Sequence, residues 1–416
     1  MRGTSSVPVF CGIDWAEAHY DVALVDDAGA VLARKRISDD SVGYQVLVGL
    51  LGEHGDRQDD PIPVAIESPR GLLVACLRRT GRKIYAINPL SVARYRERHS
   101  VVRAKSDRVD AELLANILRT DRHAHRPLPA DSELAQAIGV LARAQQDAVW
   151  NRQHIANQLR SLLREYYPAF LEAFQDRRPH GLAHPDARAV LAIAAAPTQA
   201  ARLTRPQLAA ALKRAGRQRG IAAASIRLQA IFRRTSLHQL PLVEQAMGHQ
   251  ALALLLQLNA AAQAEHELAE ATRVAFQQHR DSAIFTSFPG LGELPSARLL
   301  AEIGDDRTRF ADARGLKAYA GAAPVTRASG KKLVVLHRTV KNNRLAATGY
   351  LWTFAAIRLS VGARAHYNRR RLAGDRHAAA QRNLFNRFLG CLYYCLQNGQ
   401  TYSEAHAFPT ADALAA

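Results

Sequence analysis

Over the first 120 residues short apolar runs bounded by turn residues alternate with stretches of helical periodicity. Val7–Asp14, Tyr20–Asp26 and Ala30–Ile37 have strand length, and the last two are joined by the turn Asp26-Asp27-Ala28-Gly29, so they predict a β-meander. A helix follows near Val42–His54, then a strand at Ile62–Glu67, a helix near Gly71–Thr80, a strand at Lys83–Ile87, the turn Asn88-Pro89 and helical segments through Arg119. From about 130 to 280 the pattern becomes wholly helical. Leu134, Ile138, Leu141, Gln145, Ala148, Arg152, Ile155, Leu159 and Leu162 recur at alternating spacings of four and three, and Leu254, Leu258, Ala261 and Leu268 repeat the motif; this is the seam of a coiled coil. Prolines 179, 185, 197, 206 and 241 interrupt the helices between the two seams. An antiparallel helical arm or an oligomerisation stalk fits this pattern, with simple packing inside one domain as the plainer alternative.

The polar positions that interrupt the apolar runs are acidic. Asp14 lies in the strand Val9-Phe10-Cys11-Gly12-Ile13-Asp14, Glu67 ends Val64-Ala65-Ile66-Glu67, and Asp107 and Asp110 lie three apart on a predicted helix. A buried carboxylate is costly unless it is paired or ligates a cation. Two strand-borne acids and an i,i+3 helical pair can converge to hold one or two divalent ions, which activate a nucleophile and stabilise the leaving oxygen of a phosphodiester. Three antiparallel strands followed by βαβ crossovers is the order of an RNase H-like fold, whose acids sit on the first strand, the fourth strand and a later helix. Taken singly, Asp14 can cap a turn and Asp107 can be an acid favoured by a helix N-terminus.

Charge points to the same substrate class. The chain has 56 Lys and Arg against 37 Asp and Glu, a net charge of +19 and a pI near 10.3, the balance of a protein that meets a polyanion. The excess is segregated: 14 basic residues against Asp375 alone between Arg327 and Phe388, and 12 against Asp186 alone between Arg177 and His238. The length allows two or three domains. No apolar run reaches the roughly 20 residues of a membrane helix and the amino terminus shows no signal-peptide core, so a soluble cytoplasmic protein is expected. Cys11, Cys76, Cys391 and Cys395 are too few and scattered for a disulfide framework, and core packing is the expected role of the last two.

Two motifs stand out in the last third. Ser287-Phe288-Pro289-Gly290-Leu291-Gly292-Glu293 has the form of a helix-hairpin-helix turn, in which backbone N–H groups at a helix start can approach a phosphate; a purely structural hairpin is the alternative. Ser329 lies in the small-residue loop Ala328-Ser329-Gly330, flanked by Arg327, Lys331 and Lys332. By spacing alone a serine before glycine is a turn residue, and no general base adjoins it.

The strand Gly12-Ile13-Asp14, Ile66-Glu67-Ser68, the segment Lys105-Ser106-Asp107-Arg108-Val109-Asp110-Ala111, the hairpin Phe288-Pro289-Gly290-Leu291-Gly292 with Ala301-Glu302-Ile303-Gly304-Asp305, and Tyr319-Ala320-Gly321 through Ser329-Gly330-Lys331 together resemble the DEDD-type insertion-sequence transposases, a group that includes the Piv DNA invertase and the transposases of actinobacterial minicircle elements. The likeness runs through nearly the whole chain and is weakest between about 175 and 245. It implies a RuvC-like (RNase H-like) metal-binding domain over 1–128, a helical coiled-coil region over 129–280 and a mostly helical transposase domain over 281–416. It implies that Asp14, Glu67, Asp107 and Asp110 hold Mg²⁺ or Mn²⁺, that Ser329 attacks DNA to form a covalent seryl intermediate, and that a structured noncoding bridge RNA is a partner. One departure is Gly321-Ala322-Ala323-Pro324, where many members have Gly-Leu-Ala-Pro. Acids and serine in different domains suggest a homo-oligomer, a dimer that forms a tetramer at the synapse. Arg327, Lys331, Lys332, Arg338, Lys341, Arg344, Arg369, Arg370 and Arg371 are expected to contact nucleic acid. Two other readings stand: a RuvC-like junction resolvase or nuclease using metal-bound water, and a non-enzymatic nucleic-acid-binding protein.

Overall fold

The structure, a computed structural model, describes residues 8–99, 107–175, 181–330 and 332–409. Val7, Lys105, Ser106, Pro179 and Lys331 lie outside the described residues, as do the side chains of Asp107 and Arg108. Contacts divide the chain into two compact units, residues 1–130 and 131–416.

The first unit is a mixed sheet between helices. Its strands are β1 (Val9–Trp15), β2 (His19–Asp26), β3 (Val31–Ser38), β4 (Val64–Ile66) and β5 (Ile84–Ala86), and its helices are α1 (Ser41–Glu53), α2 (Leu72–Arg79), α3 (Pro89–His99) and α4 (Asp107–Asp121). The sheet order is β3-β2-β1-β4-β5. β1–β2 and β2–β3 are antiparallel, whereas β1–β4 and β4–β5 are parallel, an arrangement consistent with an RNase H-like domain. Side chains alternate across the sheet. Cys11, Ile13, Val22, Leu24, Val64 and Ile66 pack with Leu47, Leu51 and Leu77 of α1 and α2. Phe10, Val25 and Ala65 pack with Leu114, Ala115 and Leu118 of α4 on the other face. Gly12 belongs to this second face, and α4 lies so close that a Cβ there would collide with the Ala111 carbonyl oxygen and the Ala115 backbone nitrogen. Arg34 pairs with Glu112, and Arg119 donates to the Asp27 carbonyl (3.1 Å), so the helix is also tied to β3 and to the β2–β3 turn.

The second unit is built on two long helices, α5 (Glu133–Tyr166) and, after α6 (Pro168–Phe174), α7 (Pro185–Ile193), α8 (Pro197–Ala201), α9 (Arg205–Arg214) and α10 (Ile221–Phe232), α11 (Pro241–Gln277). The prolines at 185, 197, 206 and 241 occupy the first turns of α7, α8, α9 and α11. They end one helix and begin the next, because the first turn needs no N–H from them. The long pair is antiparallel: Arg152 pairs with Glu265, and Ile138 shares a core with Phe276, whereas Leu163 shares another with Ala251. The predicted seam of α5 is buried at Ile138, Gln145, Ile155, Leu159 and Leu162, but Ala142, Gln146, Ala156 and Leu163 are buried as well. α5 therefore carries two adjacent stripes, since it packs against α11 and also, around Gln145, against the Arg298 guanidinium (3.1 Å). On α11 Leu255 is buried rather than the expected Leu254.

Beyond α11 come α12 (Ser282–Thr286), α13 (Glu293–Ile303), α14 (Ala313–Tyr319), the hairpin β6 (Val325–Ser329) and β7 (Lys332–Leu336), α15 (Asn343–Leu359), α16 (Val361–Leu372), α17 (His377–Asn398) and α18 (Glu404–Ala407). Trp352 is fully buried, stacked on Phe388 at 4.8 Å and edge-on to Phe288 at 5.4 Å. Asp305 ties this core to the start of α5: its carboxylate accepts from Ser132 N–H (2.8 Å) and faces His279 (3.3 Å). Burial opposes that charge, but the Ser132 and His279 contacts outweigh it and hold the carboxyl below its usual range. Among the described residues no helix is long and apolar enough to cross a membrane.

Gly12→Ala places a methyl group where α4 backbone sits, and neither backbone can rotate away. We predict a loss of about 2–3 kcal/mol in the stability of the first unit, measured by chemical denaturation of residues 1–130 monitored by circular dichroism; a change below about 0.5 kcal/mol contradicts the close approach.

Candidate active site

Strand parity and register set the acids. Asp14 follows Phe10 and Gly12 by even steps and so belongs to the α4 face of β1. Ile13 pairs with Ile66 in the parallel β1–β4 register, and Asp14 and Glu67 are the next residues at the carboxyl ends of these strands. Glu67 lies just past β4, half-buried. Asp110 precedes Ala111, the residue seated on Gly12, and is 3% exposed against 8% for Asp14. Asp107 is the first residue of α4, one turn earlier. The first unit thus brings Asp14, Glu67 and the amino-terminal turn of α4 to one region of one sheet face. Asp110 is ion-paired with Arg96 of α3. Among the described residues no three His, Cys, Asp or Glu side chains are gathered closely enough to hold a metal ion.

A fifth acid was not singled out from the sequence. Asp21 of β2 stands directly opposite Asp14 in the antiparallel register and is 4% exposed. Arg36 of β3 clamps its carboxylate with two hydrogen bonds of 3.1 and 2.8 Å, and His19 approaches to 3.6 Å. The signal was an acid in a strand buried on both faces with an arginine on the next strand, legible only once the β1–β2–β3 register is known.

Ser329 closes β6 and is exposed; it pairs with Lys332 across the turn at Gly330, whose φ is 56°. That left-handed conformation favours glycine. Among the described residues no side chain hydrogen-bonds the Ser329 hydroxyl. Arg327 and Lys332 are exposed on the same hairpin, and Lys331 lies outside the described residues. Its β7 strand also exposes Leu333 (68%) and Val335 (62%), an apolar face that a two-stranded ribbon does not cover by itself.

The remaining basic residues divide into engaged and open. Arg344 grips Asp147 through two bonds of 2.7 and 2.9 Å, donates to Gln146 (3.1 Å) and lies 5.0 Å over the Trp150 ring. Arg370 pairs with Asp375 (2.6 Å), Arg371 donates to the Asp375 carbonyl (2.6 Å), and Arg338 reaches the Ala323 carbonyl (3.4 Å). Lys341 contacts the His337 imidazole at 3.2 Å; burial, with Lys341 and Arg382 nearby, holds that imidazole below its usual pKa. Arg369 is exposed at the end of α16. In the hairpin before α13, Gly290 has φ 81° and a Cβ there would stand 2.8 Å from Ala356 N, so this glycine lets the turn pack onto α15. Trp352 Nε1 fastens it by donating to the Pro289 carbonyl (3.1 Å). Only Gly292, at the start of α13, faces open space.

The family model DEDD_Tnp_IS110, described as "Transposase", matches residues 11–168, and one described as "Transposase IS116/IS110/IS902 family" matches residues 282–368. The chain is 63% identical over 403 residues, 97% of each chain, to a protein of Streptomyces coelicolor named "Mini-circle putative transposase for IS117". The chain belongs to the IS116/IS110/IS902 transposase family. It is also 26% identical over 418 residues to the "Insertion element IS110 uncharacterized 43.6 kDa protein" of the same species, covering 97% of this chain and 98% of that one. To the "Insertion element IS900 uncharacterized 42 kDa protein" of Mycobacterium paratuberculosis it is 27% identical over 414 residues, 96% and 98% of the two chains. Of this transposase's two family matches, the first runs from within β1 past the end of α5 and includes all four acids, and the second spans α12, the Ser329 hairpin and most of α16.

Arg344 is held within the second unit by Asp147, Gln146 and Trp150. We predict that Arg344→Ala and Asp147→Ala each destabilise the second unit by about 1 kcal/mol, with a coupling of about 0.5–1 kcal/mol in a double-mutant cycle read by thermal unfolding. Additive effects would show that the pair contributes nothing.

Proposed function

We propose that this transposase cuts and rejoins DNA through Ser329, with Asp14, Glu67, Asp107 and Asp110 as ligands for Mg²⁺ or Mn²⁺, and that an element-encoded structured RNA directs it. The observation that carries the metal reading is the adjacency of Asp14 and Glu67 at the carboxyl ends of two parallel strands, beneath the helix that bears Asp110. All the donors are carboxylate oxygens, the chemistry these hard cations take, and two of the acids are buried, which cation binding offsets. A bound divalent ion supplies charge stabilisation to a scissile phosphate and its leaving oxygen. Arg96 holds the Asp110 carboxylate by ion pairing and must release it when Asp110 serves as a ligand.

Ser329 acts as nucleophile in this reading. Its oxygen bonds to phosphorus as the bond to a deoxyribose oxygen breaks; the seryl proton passes to solvent and the leaving oxygen takes one up from solvent to become a hydroxyl. The seryl phosphodiester retains the bond energy, so a hydroxyl of the partner strand can attack it, rejoin DNA and free the serine without ATP. Exposure at a hairpin turn and the neighbouring Arg327 and Lys332 support access to a polyanion. RNA guidance, a dimer that forms a tetramer at the synapse, and action at the bacterial nucleoid rest on the family likeness.

Asp14→Asn, Glu67→Gln, Asp107→Asn and Asp110→Asn each remove a ligand charge at nearly constant shape. Each is expected to lower recombination of element ends at least about 100-fold in Mg²⁺ while DNA binding by electrophoretic mobility shift is retained; near-wild-type activity in two of the four would falsify the metal reading.

Ser329→Ala is expected to bind DNA and form no covalent complex. A denaturing gel that separates free from protein-linked DNA measures it. Undiminished strand cleavage by Ser329→Ala would instead identify water as the nucleophile, as in a RuvC-like resolvase or nuclease, and cleavage by neither wild type nor variant would leave a binding protein.

A further inference from the structure

Residues 169–281 fall outside both family matches, yet α6 to α10 form a folded module on the far half of the long helix pair. Phe170, Val190, Leu208 and Leu228 share its core with Leu159 and Leu255 of α5 and α11. Between 181 and 240 there are ten Lys and Arg against a single acid, Asp186. Asp186 is 3% exposed and taken by Arg217 at 3.0 Å. Arg188 is engaged by Asn259, Arg205 by Gln229 and Arg234 by Glu172. Among the described residues the side chains of Arg202, Lys213, Arg214, Arg219, Arg227 and Arg233 make no ion pair or hydrogen bond, and all six are exposed.

Their placement is organised by the α9–α10 hairpin. Gln229 donates to the Leu203 carbonyl (3.1 Å) and accepts from Arg205 (3.0 Å), which brings the start of α9 beside the end of α10. Lys213, Arg214 and Arg219 therefore lie at the turn end of the hairpin, and Arg202 and Arg233 at the other. The ten residues of α9 separate these clusters by about 15 Å, on the scale of the roughly 12 Å major groove of duplex DNA. Exposed Ala210, Ala222, Ala223 and Ala230 leave the helices free of bulk. Single strands are gripped by stacking bases on aromatic rings, and the one Phe, Tyr or Trp of 181–240, Phe232, is buried 6.2 Å from Phe170.

We propose that the α9–α10 hairpin is a second, non-catalytic surface that binds the phosphate backbone of duplex DNA. It requires DNA as the partner but neither Ser329 nor the acids. Tyr166 and Ile138 mark the module end and the carboxy-terminal-core end of α5, about 42 Å apart along the helix. DNA lying along the arm is thus covered for on the order of 12 further base pairs.

The test uses the full chain carrying Lys213→Gln, Arg214→Gln and Arg219→Gln, and separately Arg202→Gln with Arg233→Gln, each checked for unchanged thermal unfolding. Fluorescence anisotropy with a duplex of about 40 base pairs should show affinity about tenfold lower for the triple variant near 0.1 M salt, and a log–log salt slope shallower by about three units. The double variant should lose about two units. Hydroxyl-radical footprints should shorten by about 12 base pairs, while cleavage of saturated element ends stays at the wild-type rate. An unchanged slope on duplex DNA, or a loss confined to structured RNA, overturns the proposal.

Discussion

The close approach of α4 to β1 governs the candidate site. A helix can lie directly on a strand's backbone only where the strand lacks a side chain, and Gly12 provides that position. The contact fixes both the height and the register of α4, since Ala111 and Ala115 meet the same residue from successive turns. Asp14 is two residues past this point on the same strand face, and Asp110 is one residue before it on the helix. Carboxylates carried on rigid elements that touch through backbone cannot drift apart by side-chain repacking. Arg36 on Asp21 and Arg96 on Asp110 then balance acids that the sheet would otherwise bury unpaired.

The long helices solve a different problem. α5 and α11 are too long to be covered by one core, and each contributes to two: Ile138 and Phe276 to the carboxy-terminal core, Leu159 and Leu255 to the helical module. Polar seam residues mark the stretch between them, where Arg152 meets Glu265 and Gln145 meets Arg298. Charge is sorted along the same frame. Arg344 is bound to Asp147 and covers Trp150, whereas Arg202, Arg214, Arg219, Arg227 and Arg233 around the α9–α10 hairpin face solvent. Net charge alone does not distinguish these two populations.

Much of this was legible in order along the chain. Strands with period-two alternation and helices punctuated by proline depend on residues a few positions apart, and the observed elements of the first unit lie within a few residues of those expected. Other features were hidden because they depend on distant partners. Gly290 reads in the sequence as either a phosphate-approach or a structural hairpin glycine, and its packing role shows only because Ala356, 66 positions later, stands against it. Asp21 drew no notice because its importance comes from facing Asp14 across a register. Ser329 had no distinguishing local pattern, and its proposed role comes from likeness to related transposases.

The amino-acid order by itself determined which segments are strands or helices and which face of each is apolar, and gave a charge balance that suits a polyanion, because these follow from local periodicity and composition. Tertiary structure alone decided which charges are available. Asp147 and Arg344 are 197 residues apart and form one surface ion pair, and Asp110 is matched to Arg96 only by the packing of α3 beside α4. Ion pairing and close packing act through space over a few ångströms, and that proximity is created by the fold rather than by neighbours in the chain.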